Sequence, residues 1–469
     1  MIEADNTQAL QKTVHGGLSV LEIIPGESVV VVIGLGLTGF SVVRFLVSRG
    51  VEVTVADDRE HPPYLGRLNE LGQDIPRALG GYDAQVFNGT THLVVSPGVS
   101  LETREVRRAL DLGLQLVSDI DLFMSSTPGK VIGITGSNGK STVTTLLGVM
   151  AQKDGRRVKV GGNLGVPALD LLDQDEPADL YVLELSSFQL ERSSFLHIDT
   201  ATVLNISPDH MDRHGDLETY ARVKQRIFSK CGVIVINQDD PLVASMGRED
   251  QEVLRFGLKE HQQLDFSVEQ RDGAEWIMYR KDPQMPADSV RMTGRHNLSN
   301  TLAALALGHA AGLSMETMLE VLRVFPGLPH RMQSVATIDG VDWVNDSKAT
   351  NIGACIAALE GLPGRAVLIA GGDGKGADFR ALKPVVRERA RAVVLFGKDA
   401  GLLYSILQSE TKTLRVADLG QAVETSARLA RPGDTVLLSP ACASLDQFID
   451  YQARGRFFEE SVKGMMHAH

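Results

Sequence analysis

Short runs of β-branched residues alternate along the chain with longer stretches whose apolar positions recur at helical spacing. That alternation predicts parallel sheets covered by helices, an α/β fold. A first block opens at VVVVIG (29–34), continues through a helix (SVVRFLVSRG), a strand (VEVTVAD) and a second apolar run (THLVVSPGV), and ends near residue 118. A second block opens at KVIGITGSNGKSTVTTLLGVM with the same strand, loop and helix order and adds the strands DLYVLEL, TATVLNIS and GVIVIN. The more polar region 251–295 predicts an antiparallel elaboration before the helix NTLAALALGHAAGL. The Pro/Gly-rich VFPGLPHRM marks a linker near residues 326–329. Strands at RAVLIAGG, RAVVLFG and DTVLLSP make a third block. The expected units are an N-terminal extension (1–26) and domains over 27–118, 119–327 and 328–469. Ligands are expected at the C-terminal ends of the strands and in clefts between the units.

Composition narrows the function without naming it. A chain of 469 residues exceeds one core, and 43% hydrophobic and 23% charged residues are ordinary globular values. A net charge of −12 argues against a nucleic-acid surface, so an anionic substrate needs local cations. Three scattered cysteines, Cys231, Cys355 and Cys442, fit a reducing cytoplasm and exclude a C-x-x-C zinc site. No membrane span and no signal peptide is read, and residues 1–25 look polar and mobile.

Two glycine loops carry the chemistry. Gly34-Leu35-Gly36-Leu37-Thr38-Gly39 follows a strand and opens a helix, and Asp57-Asp58 lies near the spacing of a ribose-binding carboxylate. Alone, this predicts a dinucleotide-dependent dehydrogenase. The second loop, GITGSNGKST, ends in Gly139-Lys140-Ser141, the close of a phosphate loop, although Ile134 stands where the strict motif has its first glycine. Hydride transfer needs no triphosphate site; two phosphate-type loops suit an enzyme that joins two molecules. Glu184 would project from a strand end on the same rim, where a carboxylate can hold Mg²⁺ or simply be solvated. The loop SPDHMDRHGD (Asp209, His210, Asp212, Arg213, His214) suits a Mg²⁺-phosphate rim better than zinc. Lys224 by default is a solvated helix lysine. Read singly, Asn297 and Asn300 also fit helix caps, His330 a loop residue beside Pro329, and Ser444 a turn residue.

In order, GSNGKST, LELSSFQL, DHMDRH, ARVKQRIF, HNLSNTLAA, PHRMQ, NDSKATN, GGDGKGADF and SPACASLDQF resemble the motifs of the Mur ligases, in the variants of the D-glutamate-adding branch, from about residue 27 to 460. The resemblance implies a Rossmann-like N-terminal domain, a P-loop mononucleotide-binding central domain and a Rossmann-like C-terminal domain. It moves the first loop from a dinucleotide to a uridine diphosphate: Leu37, Thr38, Asp57, Asp58, Arg59, Ser96, Pro97 and Gly98 would line that pocket, with Asn163 and His210 as further contacts of this substrate. It implies ATP contacts at Ser137, Asn138, Gly139, Lys140, Ser141, Thr142 and Val143, and, around adenine and ribose, at Asn297, Asn300, His330, Arg331 and Asp346. Mg²⁺ would be held by Ser141, Glu184, His210 and Lys224, the last as a CO₂-derived carbamate. Lys348, Thr350, Lys375, Ser444, Leu445 and Tyr451 would form the D-glutamate pocket, with Tyr451 where the family pattern has Phe. Lys140, Glu184, His210, Lys224 and Lys348 are the implied catalytic set.

The implied activity is an ATP-dependent, cytoplasmic amide ligase. It would add D-glutamate to UDP-N-acetylmuramoyl-L-alanine through an acyl phosphate and release ADP and phosphate. A monomer is expected, with ATP, Mg²⁺ and the two substrates as its only partners. Another Mur-type ligase of the folylpolyglutamate synthetase kind, a dehydrogenase and a non-catalytic ATP-binding regulator are the competing readings.

Overall fold

Four consecutive valines make poor helix and good strand, and Val29–Ile33 forms β1, at the centre of the first of three sheets. In the computed structural model, residues 21–466 are described, apart from 73, 83, 173–175, 248–250 and 262. The first sheet holds β1, β2 (Glu52–Asp57), β3 (Arg77–Leu79), β4 (His92–Val95) and β5 (Gln115–Val117) in the order β3-β2-β1-β4-β5, with every pair parallel. The order reverses between β1 and β4, so the loops after these two strands open a crevice at their C-terminal ends.

The second sheet holds β6 (Lys130–Thr135), β7 (Val158–Gly162), β8 (Leu180–Glu184), β9 (Ile198–Val203), β10 (Cys231–Asn237), β11 (Glu252–Gly257), β12 (Phe266–Arg271), β13 (Ala274–Tyr279) and β14 (Asp282–Pro286). Its order is β14-β13-β12-β11-β10-β9-β6-β8-β7. The expected antiparallel elaboration begins later than the polar region suggests. β11 and β12 still pair in parallel, and only β12–β13 and β13–β14 are hairpins. Helices Lys140–Lys153 and Arg295–Ala310 pack on this sheet, the second buried almost all round from Asn297 to Gly308.

The third sheet holds β15 (Gln333–Ile338), β16 (Val341–Asn345), β17 (Ala366–Gly371), β18 (Ala390–Phe396), β19 (Lys412–Arg415) and β20 (Thr435–Leu438), ordered β15-β16-β20-β17-β18-β19. Three of these, β15, β16 and β19, are absent from the sequence reading, which recognises only the apolar β17, β18 and β20. β15 and β19 are edge strands that alternate or expose their residues, so they lack a continuous apolar run.

The cores divide unevenly. Residues of the first sheet, of helix Asp119–Ser126 and of one face of the second sheet belong to a single apolar cluster, in which Phe123 meets Tyr181 edge-to-face at 5.3 Å. The third sheet has two clusters of its own, one on each face. The expected N-terminal extension lies mostly outside the described residues, and its described end is no free arm. Leu21 and Ile23 are buried in the first core, and His92 Nε2 lies 3.1 Å from the Leu21 carbonyl.

Candidate active site

Two clefts lie at strand C-termini. The first, of about 590 Å³, is bounded by Gly34, Gly36, Leu37, Thr38, Asp57, Asp58, Arg59, Ser96, Pro97 and Gly98, and so gathers all eight first-domain residues singled out in the sequence. The turn has room only for glycine at its tightest point: a Cβ on Gly39 would sit 1.9 Å from the Gly34 carbonyl oxygen. Ser96 Oγ donates to that same oxygen (2.7 Å), tying the loop after β4 to the loop after β1. Asp57 is not a free carboxylate facing a base. It is fully buried and accepts from the Leu35 N–H (2.7 Å), the Arg59 N–H (2.9 Å) and the Arg59 guanidinium (2.8 and 2.7 Å). Burial alone would raise its pKa, but these bonds outweigh it and bring the carboxyl down to about 2. Asp57 therefore shapes the glycine loop, leaving Asp58 as the second acid at the cleft. Tyr82 also lines the cleft, its phenol raised to about 12 by burial and then by Asp58 and Asp57. No motif flags it, because it stands on an irregular segment between β3 and β4.

The second cleft, of about 620 Å³, lies between the second and third sheets. Asn138, Gly139 and Thr142 of the phosphate loop line it, with Asn297 and Asn300 of the long central helix and Arg331, Asp346 and Lys348 of the third unit. The loop follows β6, and Gly139 takes φ +84° where the chain turns into helix Lys140–Lys153. A Cβ there would lie 2.3 Å from Asn300 Oδ1, so Asn300 is packed directly on the loop. Asn297 Nδ2 bonds the Thr293 carbonyl (2.8 Å) and Asn300 Nδ2 bonds Asn297 Oδ1 (3.3 Å); both asparagines brace a helix start and face the cleft. Ser137 turns inward: its hydroxyl bonds the Ser207 backbone at 2.9 and 3.0 Å. Val143 is fully buried in the core, so its side chain cannot meet a nucleotide.

Around this cleft four cations converge without carboxylate partners. Lys140 Nζ folds back on the Gly136 (2.9 Å) and Ser137 (3.0 Å) carbonyls. Lys224, expected by default at a solvated helix face, is instead 1% exposed, and donates to the Gly136 carbonyl (2.9 Å) and Thr135 Oγ1 (3.2 Å). Arg331 donates to Ser141 Oγ (2.8 Å), reaching from the third unit to the phosphate loop. Lys348 Nζ stands 4.0 Å over the Tyr451 ring. Among the described residues none of the four is in an ion pair. Burial lowers the pKa of all four, Lys224 well below its usual value and Lys348 to about 8. Such a cluster is costly when empty and suits a polyanion.

Glu184 supplies the complementary charge. It is 3% exposed, Oε1 accepts from Asn163 Nδ2 (2.8 Å), and Oε2 is buried with no hydrogen-bond partner. An orphaned carboxylate oxygen beside a phosphate loop fits a hard cation. Asn163 thus lies at the central rim and not in the first cleft. His210 sits in the left-handed region (φ +55°) against Phe188, and burial, partly offset by Asp209, lowers its pKa and so favours the neutral imidazole. Among the described residues no group of three or more His, Cys, Asp or Glu forms a closed metal cluster, so a cation here would be shared with phosphate oxygens.

The third unit contributes loops after β16, β17 and β20. Asp346 is buried and accepts from Ser439 Oγ (2.9 Å) and the Met332 N–H (3.2 Å); burial, partly offset by these bonds, raises its pKa to about 7. Thr350 follows Lys348 in the same turn, its N–H donating to the Lys348 carbonyl (2.8 Å). Lys375 takes φ +51° in the loop after β17. Ser444 is buried after β20, whereas its neighbour Leu445 is 71% exposed, so here the leucine side chain lines no enclosed pocket. His330, expected beside adenine, is not among the residues that line this cleft. Its ring lies under the C-terminal helix, with Asn345 Nδ2 bonded to Nδ1 (2.9 Å), and a Cβ on Gly455 would come within 2.3 Å of that nitrogen. The residue before Arg331 is thus a packed pivot. Sequence reasoning also misses Asn351, whose Nδ2 bonds Asn138 Oδ1 (3.1 Å) across the cleft, and His296, which lines it.

Three family profiles match in chain order: "Mur ligase MurD-like, N-terminal domain" over residues 28–118, "Mur ligase middle domain" over 134–308 and "Mur ligase, glutamate ligase domain" over 330–442. The chain is 54% identical over 439 residues to the UDP-N-acetylmuramoylalanine–D-glutamate ligase of Methylococcus capsulatus, covering 94% of this chain and 95% of that protein. It is 48% identical to the enzyme of the same name from Marinobacter nauticus, covering 95% and 100%. Among solved structures, a pseudomurein peptide ligase type C from Methanothermus fervidus matches with TM-score 0.59 at 18% identity over 93% of this chain and 100% of that one. UDP-N-acetylmuramate-alanine ligase MurC from Thermotoga maritima matches with TM-score 0.58 at 17% identity over 93% and 99%; these two likenesses concern the fold.

Proposed function

The chain belongs to the Mur ligase family, and from that premise we propose that it is the ATP-dependent ligase that adds D-glutamate to UDP-N-acetylmuramoyl-L-alanine in peptidoglycan synthesis. The observation that carries this reading is the cleft between the second and third sheets, where Arg331 and Lys348 line the wall, Lys140 and Lys224 bond the phosphate loop, and Glu184 holds a buried carboxylate oxygen without a hydrogen-bond partner. It supports a triphosphate brought against a carboxylate. The terminal carboxylate of the muramoyl substrate attacks the γ-phosphate and ADP leaves; the amine of D-glutamate then attacks the acyl carbon, and the tetrahedral intermediate expels inorganic phosphate and loses a proton to give the amide. Phosphoryl transfer asks chiefly for positioning and charge neutralisation. Lys140, Arg331 and Lys348 supply cations for both, and Asn138, Asn297, Asn300 and Asp346 the polar lining for the nucleoside. Ser141, Glu184 and His210 would hold Mg²⁺, which neutralises phosphate charge when bound; Arg331 would then release the Ser141 hydroxyl. The first cleft would take the uridine diphosphate, its phosphates at the N-terminus of the helix that Gly36 opens. Lys348, Thr350, Lys375, Ser444 and Tyr451 would receive D-glutamate.

The carbamate on Lys224 is a finer part of this proposal, on which the relatives' names are silent. Its support is physical: burial lowers the Lys224 pKa well below its usual value, which favours the neutral amine that can add CO₂. A ¹³C signal on Lys224 in ¹³C-bicarbonate would support it, and an unmodified lysine in active enzyme would exclude it. The cytoplasm is the compartment that supplies ATP and the nucleotide-linked substrate, and no described helix is long and apolar enough to cross a membrane. The ligase reading is tested by ADP release that requires both UDP-MurNAc-L-Ala and D-glutamate. Nicotinamide reduction, or ADP release with folate and glutamate instead, would overturn it.

A further inference from the structure

The residues proposed to receive D-glutamate come from separate segments. Lys348 and Thr350 follow β16, Lys375 follows β17, Ser444 follows β20, and Tyr451 begins the C-terminal helix. One side chain joins three of these four segments, all but that of Lys375, and no motif draws attention to it. Arg454, in the first turn of helix Tyr451–Met466, is 0% exposed. Its Nε donates to Ser347 Oγ (3.0 Å), one terminal nitrogen to the Ser347 carbonyl (2.8 Å) and the other to the Cys442 carbonyl (3.1 Å). Ser347 Oγ in turn donates to the Tyr451 carbonyl (2.8 Å), which closes the circuit. Ser347 directly precedes Lys348, and Cys442 lies two residues before Ser444. Among the described residues no carboxylate pairs with Arg454. A buried guanidinium whose hydrogen bonds all go to neutral oxygens holds geometry through its rigid fork, while Asp446 and Asp346 act on its charge from farther off.

We propose that Arg454 is the positioning residue that assembles the acceptor pocket, by holding the Lys348 turn, the Ser444 loop and the start of the C-terminal helix in one hydrogen-bonded circuit. This rests on the ligase reading above. Arg454 would touch no reacting atom. It acts through the Lys348 loop, the Ser444 loop and the Tyr451 helix, so its loss should fall on one substrate and spare the other two.

The test uses the full-length protein, steady-state ADP release with each of the three substrates varied in turn, and a melting curve for each variant. Arg454→Met should raise KM for D-glutamate by about tenfold or more, while KM for ATP and for UDP-MurNAc-L-Ala stays within about twofold. Arg454→Lys keeps the charge without the fork and should recover part of that loss. Ser347→Ala removes one node of the circuit and should raise the same KM by about threefold while the protein stays folded, its melting temperature only modestly lowered; with Arg454→Lys it decides the matter if the methionine variant does not fold. Folded variants whose three KM values rise together, or whose KM for D-glutamate does not move, would overturn the proposal. The ligase reading fails separately: wild-type protein would then release no ADP with D-glutamate, or would couple a monocarboxylic amino acid in its place.

Discussion

Lys224 carries the largest contrast between its sequence context and its surroundings. An amphipathic helix pattern puts a lysine on the solvent side, yet this one is enclosed, bonded to Gly136 and Thr135 and 4.7 Å from the Tyr220 ring centre. Lys224→Ala is expected to lower kcat by about a hundredfold or more while circular dichroism and melting stay near wild type. Near-normal turnover would remove Lys224 from the catalytic set. Asp346 offers a pH test. Its carboxyl rises from 3.8 to about 7, so the folded protein keeps a proton that the unfolded chain loses across that interval. Its contribution to stability is whole below pH 3.8 and is lost as pH climbs through about 7. Asp346→Asn should therefore melt higher than wild type near pH ~8, with little difference near pH ~4, and should lose ATP turnover. A variant that melts lower than wild type near pH ~8 contradicts the burial argument.

At the scale of elements, the glycine turn after β1 is the part most exposed to a single methyl group. Gly39→Ala forces the helix start away from Gly34 and is expected to cost about 1–3 kcal/mol, with loss of uridine nucleotide binding by calorimetry. Unchanged binding would show that the turn yields more easily than its geometry implies. The central strands and both glycine loops were legible because a parallel strand buried on two faces is an unbroken apolar run. β15 and β19 were not, because these edge strands carry polar residues along their length and lack an apolar run. The same division holds in the site. The Gly139-Lys140-Ser141 loop announces itself by its residues, whereas Ser96-Pro97-Gly98 is expected only through the family resemblance. The roles of Asp57 as a loop anchor, His330 as a pivot and Arg454 as a tie depend on which backbone atoms lie opposite them, and no local pattern encodes that.

The first and second sheets share an apolar core, whereas the hydrogen bonds from the third unit to the second include Arg331–Ser141, Asn351–Asn138 and Asn351–Asp209. The chain enters the third unit through His330 (φ +60°) and Met332 (φ +44°), non-glycine residues in the left-handed region, just after the Pro/Gly linker. Polar contacts exchange more readily than a packed core, so the third unit should reorient when nucleotide takes the Ser141 hydroxyl from Arg331. Small-angle scattering should then change on adding a non-hydrolysable ATP analogue with UDP-MurNAc-L-Ala; superimposable profiles would contradict this hinge. The central claim, that the two clefts and the third unit together join D-glutamate to a uridine-linked acid at the expense of ATP, has a more direct test. ADP release is measured with purified protein, and ATP, UDP-MurNAc-L-Ala and D-glutamate are omitted one at a time. The account predicts sustained release only with all three present, in equal amount with the UDP-MurNAc-L-Ala-D-Glu product. Sustained ADP release that ignores either acceptor or donor, or none at all in the complete mixture, would contradict it.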